Sequence, residues 1–134
     1  MYKSILLAAD GSDNSFRAAK ETLNFINENT KVTILNVIQV EKSKDAILHG
    51  EDIVREQKEK LADIMRLYEN ENVTYNVIFE RGIPDETVVK AANDGGFNII
   101  VLGNRGLNAL QGMMMGSVSH KVAKRANIPV LIVK

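Results

Sequence analysis

A chain of 134 residues has the size of one domain, about 100–150 residues, and a single unit over 1–134 is expected. With zero Cys, disulfides, thiol catalysis and thiolate-held metal centres are excluded. The 17 basic and 17 acidic residues cancel, and aromatics are 5% with no Trp; neither the cationic footprint of a duplex nucleic-acid binder nor a stacking platform for single strands is present.

The first apolar run, Ile5–Ala9, is too short for a signal peptide and is closed by Asp10-Gly11-Ser12. No stretch approaches the ~20 apolar residues of a membrane span, so a cytoplasmic protein without membrane contact is expected. Phe16, Ala19, Leu23 and Ile26 follow at helical spacing. The second run, Val32–Ile38, leads into a polar connection, 39–50, and then a charged segment, 51–71, in which Ile53, Leu61, Ile64 and Tyr68 mark one long helix. In the third run, Val73, Tyr75, Val77 and Phe79 alternate with polar neighbours, which places that strand at a sheet edge. Pro84 stands at a first helical position with Asp85 and Glu86 behind it, and the helix stops at Gly95-Gly96. Ile99–Leu102 is the fourth run. After a loop rich in Gly, Asn and Met, a fourth helix starts near Ser117 and ends before Pro129, and Val130–Val133 is the fifth run. Strict alternation of strands and helices predicts a doubly wound α/β fold with an open sheet of five parallel strands and four helices.

Open parallel sheets take ligands at the carboxyl ends of their strands. Two such ends carry suitable chemistry: Asp10-Gly11-Ser12 after the first strand, and Gly103-Asn104-Arg105-Gly106 after the fourth, whose loop runs to Gly116-Ser117-Val118-Ser119. Glycines at 103, 106 and 116 allow positive φ and close backbone approach. The amides of Ser117, Val118 and Ser119 would lie in a first helical turn, where the helix dipole favours a phosphate. A Gly-Ser pair before a helix also serves as a plain cap; three glycines together with two hydroxyls favour the phosphate cradle. The chain has no Gly-Lys-Ser/Thr and no G-x-G-x-x-G after a strand. His49 and His120 are read as surface residues, and Met113–Met115 as packing or an apolar ligand wall.

The spacing Gly103-x2-Gly106-x9-Gly116-Ser117 resembles the nucleotide-binding signature of the universal stress protein (UspA-like) family. The opening Ile5–Ser12, the segment Gly82-Ile83-Pro84 and the terminal Pro129–Val133 extend the likeness over essentially the whole chain. The resemblance implies an adenine-nucleotide alpha-hydrolase-like sheet in the order 3-2-1-4-5. It further implies that Asp10 meets the ribose side of a nucleotide or its bound Mg, and that the Val37 backbone pairs with the adenine edge. Gly103 would lie near the ribose, Gly106 and Gly116 would admit the phosphates, and Ser117, Val118 and Ser119 would hold them.

The implied function is that of an ATP-binding stress-response module, nucleotide-dependent and regulatory, with ATP (or AMP or ADP) and Mg as ligands and an unidentified protein partner. A slow ATP-hydrolysing enzyme is the competing reading, and a nucleotide-free scaffold the third. Hydrolysis needs a base or water-positioning group and stabilisation of the transferred phosphoryl. Only Asp10, His120 and Arg105 are available for it, so binding without useful turnover is preferred. In the order 3-2-1-4-5 the strand Val130–Val133 is an edge without internal charge, which predicts a homodimer through it.

Overall fold

A computed structural model of the chain describes residues 2–39, 50–105 and 116–134. The sheet consists of β1 (Ser4–Ala8), β2 (Lys31–Ile38), β3 (Thr74–Arg81), β4 (Ile99–Gly103) and β5 (Val130–Val133). Every pairing is parallel, as the alternation of strands and helices predicts, and the strand order is β3-β2-β1-β4-β5, as the resemblance implies. The three inner strands are buried through their middles, whereas β3 and β5 are half-buried along most of their length. Alternation in 73–79 therefore did mark an edge.

Two apolar layers enclose the sheet because consecutive strand residues point to opposite faces. Ile5, Leu7, Val32, Ile34 and Val101 pack under α1 (Asp13–Thr22) and α3 (Ala62–Asn70). Leu6, Leu35, Ile100 and Leu102 pack under α4 (Pro84–Asp94) and α5 (Ser117–Arg125). Tyr68 is fully buried in the first layer, where its hydroxyl meets Thr22 Oγ1 at 2.8 Å. Burial raises the pKa of that hydroxyl, the bond from Thr22 opposing only in part.

The single helix expected over 51–71 is two helices, α2 (Gly50–Lys60) and α3, so the described residues hold five α-helices rather than four, with one 3₁₀ turn at Leu23–Phe25. The division falls at Leu61, whose N–H is shared between the carbonyls of Gln57 and Lys58 at 3.2 and 3.1 Å. Periodicity continues across the joint because Leu61 is itself buried. The joint lies against the turn after β1: a Cβ on Gly11 would meet Lys60 Cβ at 2.7 Å, and Gly11 has φ +87°. Only glycine fits both conditions.

Candidate functional site

Strand order puts the ends of β1, β2 and β4 side by side at one end of the sheet. Asp10 follows β1, Val37 is the penultimate residue of β2, Gly103 closes β4, and Gly116 precedes α5. The structure thus places Asp10, Val37, Gly103, Gly116, Ser117, Val118 and Ser119 at the carboxyl end of the sheet, where a doubly wound fold has its crevice. Gly106, His49 and Met113–Met115 lie outside the described residues.

At the β1 side the chain turns back on itself. Asp10 Oδ1 accepts the Ser12 N–H at 2.9 Å, and Ser12 Oγ accepts the Ser15 N–H at 3.1 Å as the cap of α1. Asp10 is half-buried. The first turn of α1 then presses onto the end of β4, where a Cβ on Gly103 would stand 2.8 Å from Asn14 backbone carbon. Gly103 is thus required by helix packing. The expected positive φ is found at Gly11, Gly82 and Gly96, and not at Gly103 or Gly116. Gly116 is extended, with φ −70° and ψ 157°, and a Cβ there would come within 3.2 Å of the Asn104 carbonyl oxygen. Its smallness matters for space, not for conformation.

The Asn104 backbone joins three elements. Its N–H donates to the Val133 carbonyl at 2.7 Å, and its own carbonyl accepts the Gly116 N–H at 2.7 Å. The Ser119 hydroxyl, 3% exposed as a residue, donates to the Gly103 carbonyl at 2.6 Å and approaches that of Asn104 at 3.2 Å. This ties the start of α5 to the end of β4, and commits the hydroxyl proton of Ser119 inside the chain. Ser117 is exposed and Val118 half-buried. The first return bond of α5 runs from the His120 N–H to the Gly116 carbonyl at 3.1 Å, and among the described residues no side chain caps the helix. The N–H groups of Ser117, Val118 and Ser119 consequently precede the helix's own ladder. They form a row of donors at the positive end of a nine-residue helix.

Among the described residues no cluster of three or more His, Cys, Asp or Glu could hold a metal ion, and no helix is long and apolar enough to cross a membrane. A cleft lined by Leu23, Ile26, Asn27, Glu28, Glu71, Asn72, Val73 and Thr74 lies by the start of β3, at the opposite end of the sheet. Its two carboxylates, Glu28 and Glu71, disfavour an anion there. Sequence reasoning missed Asn14 and Asn36, and named Asn104 only as part of the strand-end segment. Asn36 had a visible signal: with Thr33 it is the polar interruption in the run Val32–Ile38.

A five-stranded parallel sheet with helices on both faces defines a doubly wound α/β domain. The universal stress protein family model matches residues 1–134, and the chain belongs to that family. It is 31% identical to universal stress protein YxiE of Bacillus subtilis, over 100% of each chain. It is 31% identical to universal stress protein MJ0577 of Methanocaldococcus jannaschii, over 100% of this chain and 96% of the relative. The solved structure of MJ0577 superposes with a TM-score of 0.85 at 34% identity, covering 100% of this chain and 96% of that one. A universal stress protein from Archaeoglobus fulgidus, solved in complex with dAMP, has the same fold at 24% identity, with a TM-score of 0.72 over 99% and 98% of the two chains.

Proposed function

We propose that the chain is a cytoplasmic, ATP-binding universal stress protein that acts as a nucleotide-dependent regulatory module. The observation that carries this reading is the uncapped start of α5. Three backbone donors, no capping side chain and a buried glycine leave room for a phosphate beside the ends of β1 and β4. Donor chemistry and helix dipole both suit an anion there. The relative solved with dAMP supports an adenine nucleotide as the class of ligand. Asp10, Gly103, Gly106, Gly116, Ser117, Val118 and Ser119 are assigned to the ribose and phosphates, and the Val37 backbone to the adenine edge. Mg would arrive with the phosphates, with Asp10 as the carboxylate beside it. Chromatography of nucleotide released from freshly purified, denatured protein tests the assignment. ATP is expected; ADP would point to hydrolysis, and no nucleotide would contradict the reading.

The assembly we propose is a homodimer through β5. Val130–Val133 is a half-buried edge strand without internal charge, and a two-fold axis makes strand-to-strand pairing self-complementary. Light scattering at micromolar concentration is expected to give the dimer mass, with Ile132→Pro monomeric because it removes a donor that faces away from β4. A monomeric wild-type chain would overturn it.

A further inference from the structure

We propose that Asn36 is a positioning residue that stops the β1–β2 ladder one bond early and so keeps the Val37 backbone open to the adenine edge. The inference rests on the nucleotide reading above and gives it a physical cause. In a parallel ladder the N–H and C=O of a residue point to the same neighbouring strand, and alternate residues point to opposite ones. The Ala9 N–H donates to the Leu35 carbonyl at 3.0 Å, in continuation of the register Ala8↔Leu35. Leu35 therefore faces β1. Asn36 and Ile38 face β3, and the Gly82 N–H indeed reaches the Ile38 carbonyl at 3.1 Å. Val37 faces the β1 side again.

Regular continuation would place the Val37 N–H on the Ala9 carbonyl. That carbonyl instead accepts Asn36 Nδ2 at 3.0 Å. Among the described residues no carbonyl of the β1 segment takes the Val37 N–H. Beyond Ala9 the chain turns through Asp10 and Gly11, which has φ +87°, so among the described residues no further backbone of the β1 segment continues the ladder over Val37. The Val37 N–H and C=O are left side by side beyond the end of β1. Adenine offers a ring-nitrogen acceptor next to an exocyclic amine donor, the complement of that pair.

Packing does not account for Asn36. It is 1% exposed, it shares a face with the apolar Ile34, and its Oδ1 has no partner. A buried carbonyl without a donor destabilises the fold, and an apolar residue of similar size would relieve it. The amide is explained by what its Nδ2 occupies: the acceptor that would otherwise close the ladder over Val37.

Residue-resolved amide hydrogen exchange on the full chain tests this, with Asn36→Leu and Asn36→Ala as variants and AMP as the probe. In the ligand-free wild type the Val37 amide is expected to exchange freely, and AMP should protect it. In both variants the amide should be protected without AMP, and AMP affinity should fall by about tenfold, the scale of a lost hydrogen bond, with the melting temperature of Asn36→Leu held or raised. A merely structural Asn36 would lower the melting temperature and leave Val37 exchange unchanged. Equal Val37 exchange in wild type and variants overturns the proposal, as does wild-type AMP affinity in Asn36→Leu. If the wild type binds neither ATP nor AMP, the nucleotide reading falls; the ligand-free exchange comparison then upholds or overturns the ladder role by itself.

Discussion

The first turn of α1 is closed by its own sequence. Ser12 caps it, and Asp10 holds the Ser12 N–H in turn. The first turn of α5 stands beside the neighbouring strand and is not closed: Gly116 has no side chain to offer, and Ser119, the one buried hydroxyl of that turn, points back to the Gly103 carbonyl. Both helices follow adjacent strands of one sheet, so fold position does not explain the contrast. Where the chain supplies a cap, the helix start is structural. Where it withholds one among the described residues, while a serine fixes the loop base, the proposed reading gives the donors to a phosphate.

The contrast can be broken from the α5 side. Gly116→Asp places a carboxylate where the phosphate would sit and gives α5 the cap it lacks. ATP affinity measured by calorimetry is expected to fall by about 100-fold, because the substituent both fills the donors and repels the ligand, while circular dichroism stays native. Gly103→Ala probes the join between the two helix starts. Its Cβ meets the Asn14 backbone at 2.8 Å, so α1 must shift, and denaturant unfolding should register a loss of about 1–3 kcal/mol, the usual range for overpacking. Ser12→Ala removes the α1 cap and should lower stability by about 1 kcal/mol, with ATP affinity at the wild-type value. A fall in affinity as large as that of Gly116→Asp would erase the distinction between the two turns.

The smallest effect lies away from the crevice. Tyr68 has its pKa raised by burial, so the folded state favours the neutral phenol. Its contribution is complete below about pH 10, the unfolded value, and is lost as pH rises above that, because the unfolded chain gains the ionised form first. Unfolding curves of wild type and Tyr68→Phe should converge as pH is raised beyond 10. Parallel curves would contradict the shift.

Hydrophobic runs made the sheet legible, since buried parallel strands leave a mark in residue type that needs no partner to read. The alternation in 73–79 located an edge, and Asp10 and Gly103-x2-Gly106-x9-Gly116-Ser117 carried the resemblance to the family whose model matches the chain. What the sequence did not disclose depends on contacts between distant segments. Leu61 keeps the helical period while the backbone breaks. Gly103 is small because α1 crosses it, and Gly116 because the Asn104 carbonyl is near; neither reason is visible in spacing. The Ser119 hydroxyl looks free for a ligand until its carbonyl acceptors are placed. Asn36 reads as an ordinary polar interruption until the ladder register is known.

The central claim is that the α5 start receives a phosphate, and a titration of isotope-labelled protein with ATP, followed by backbone amide NMR, tests it most directly. The account predicts that the amides of Ser117, Val118 and Ser119 show the largest saturable shifts, and that adenosine, which lacks phosphate, leaves them nearly unmoved. Saturable ATP binding that leaves those three amides in place, or equal shifts with adenosine, would contradict it.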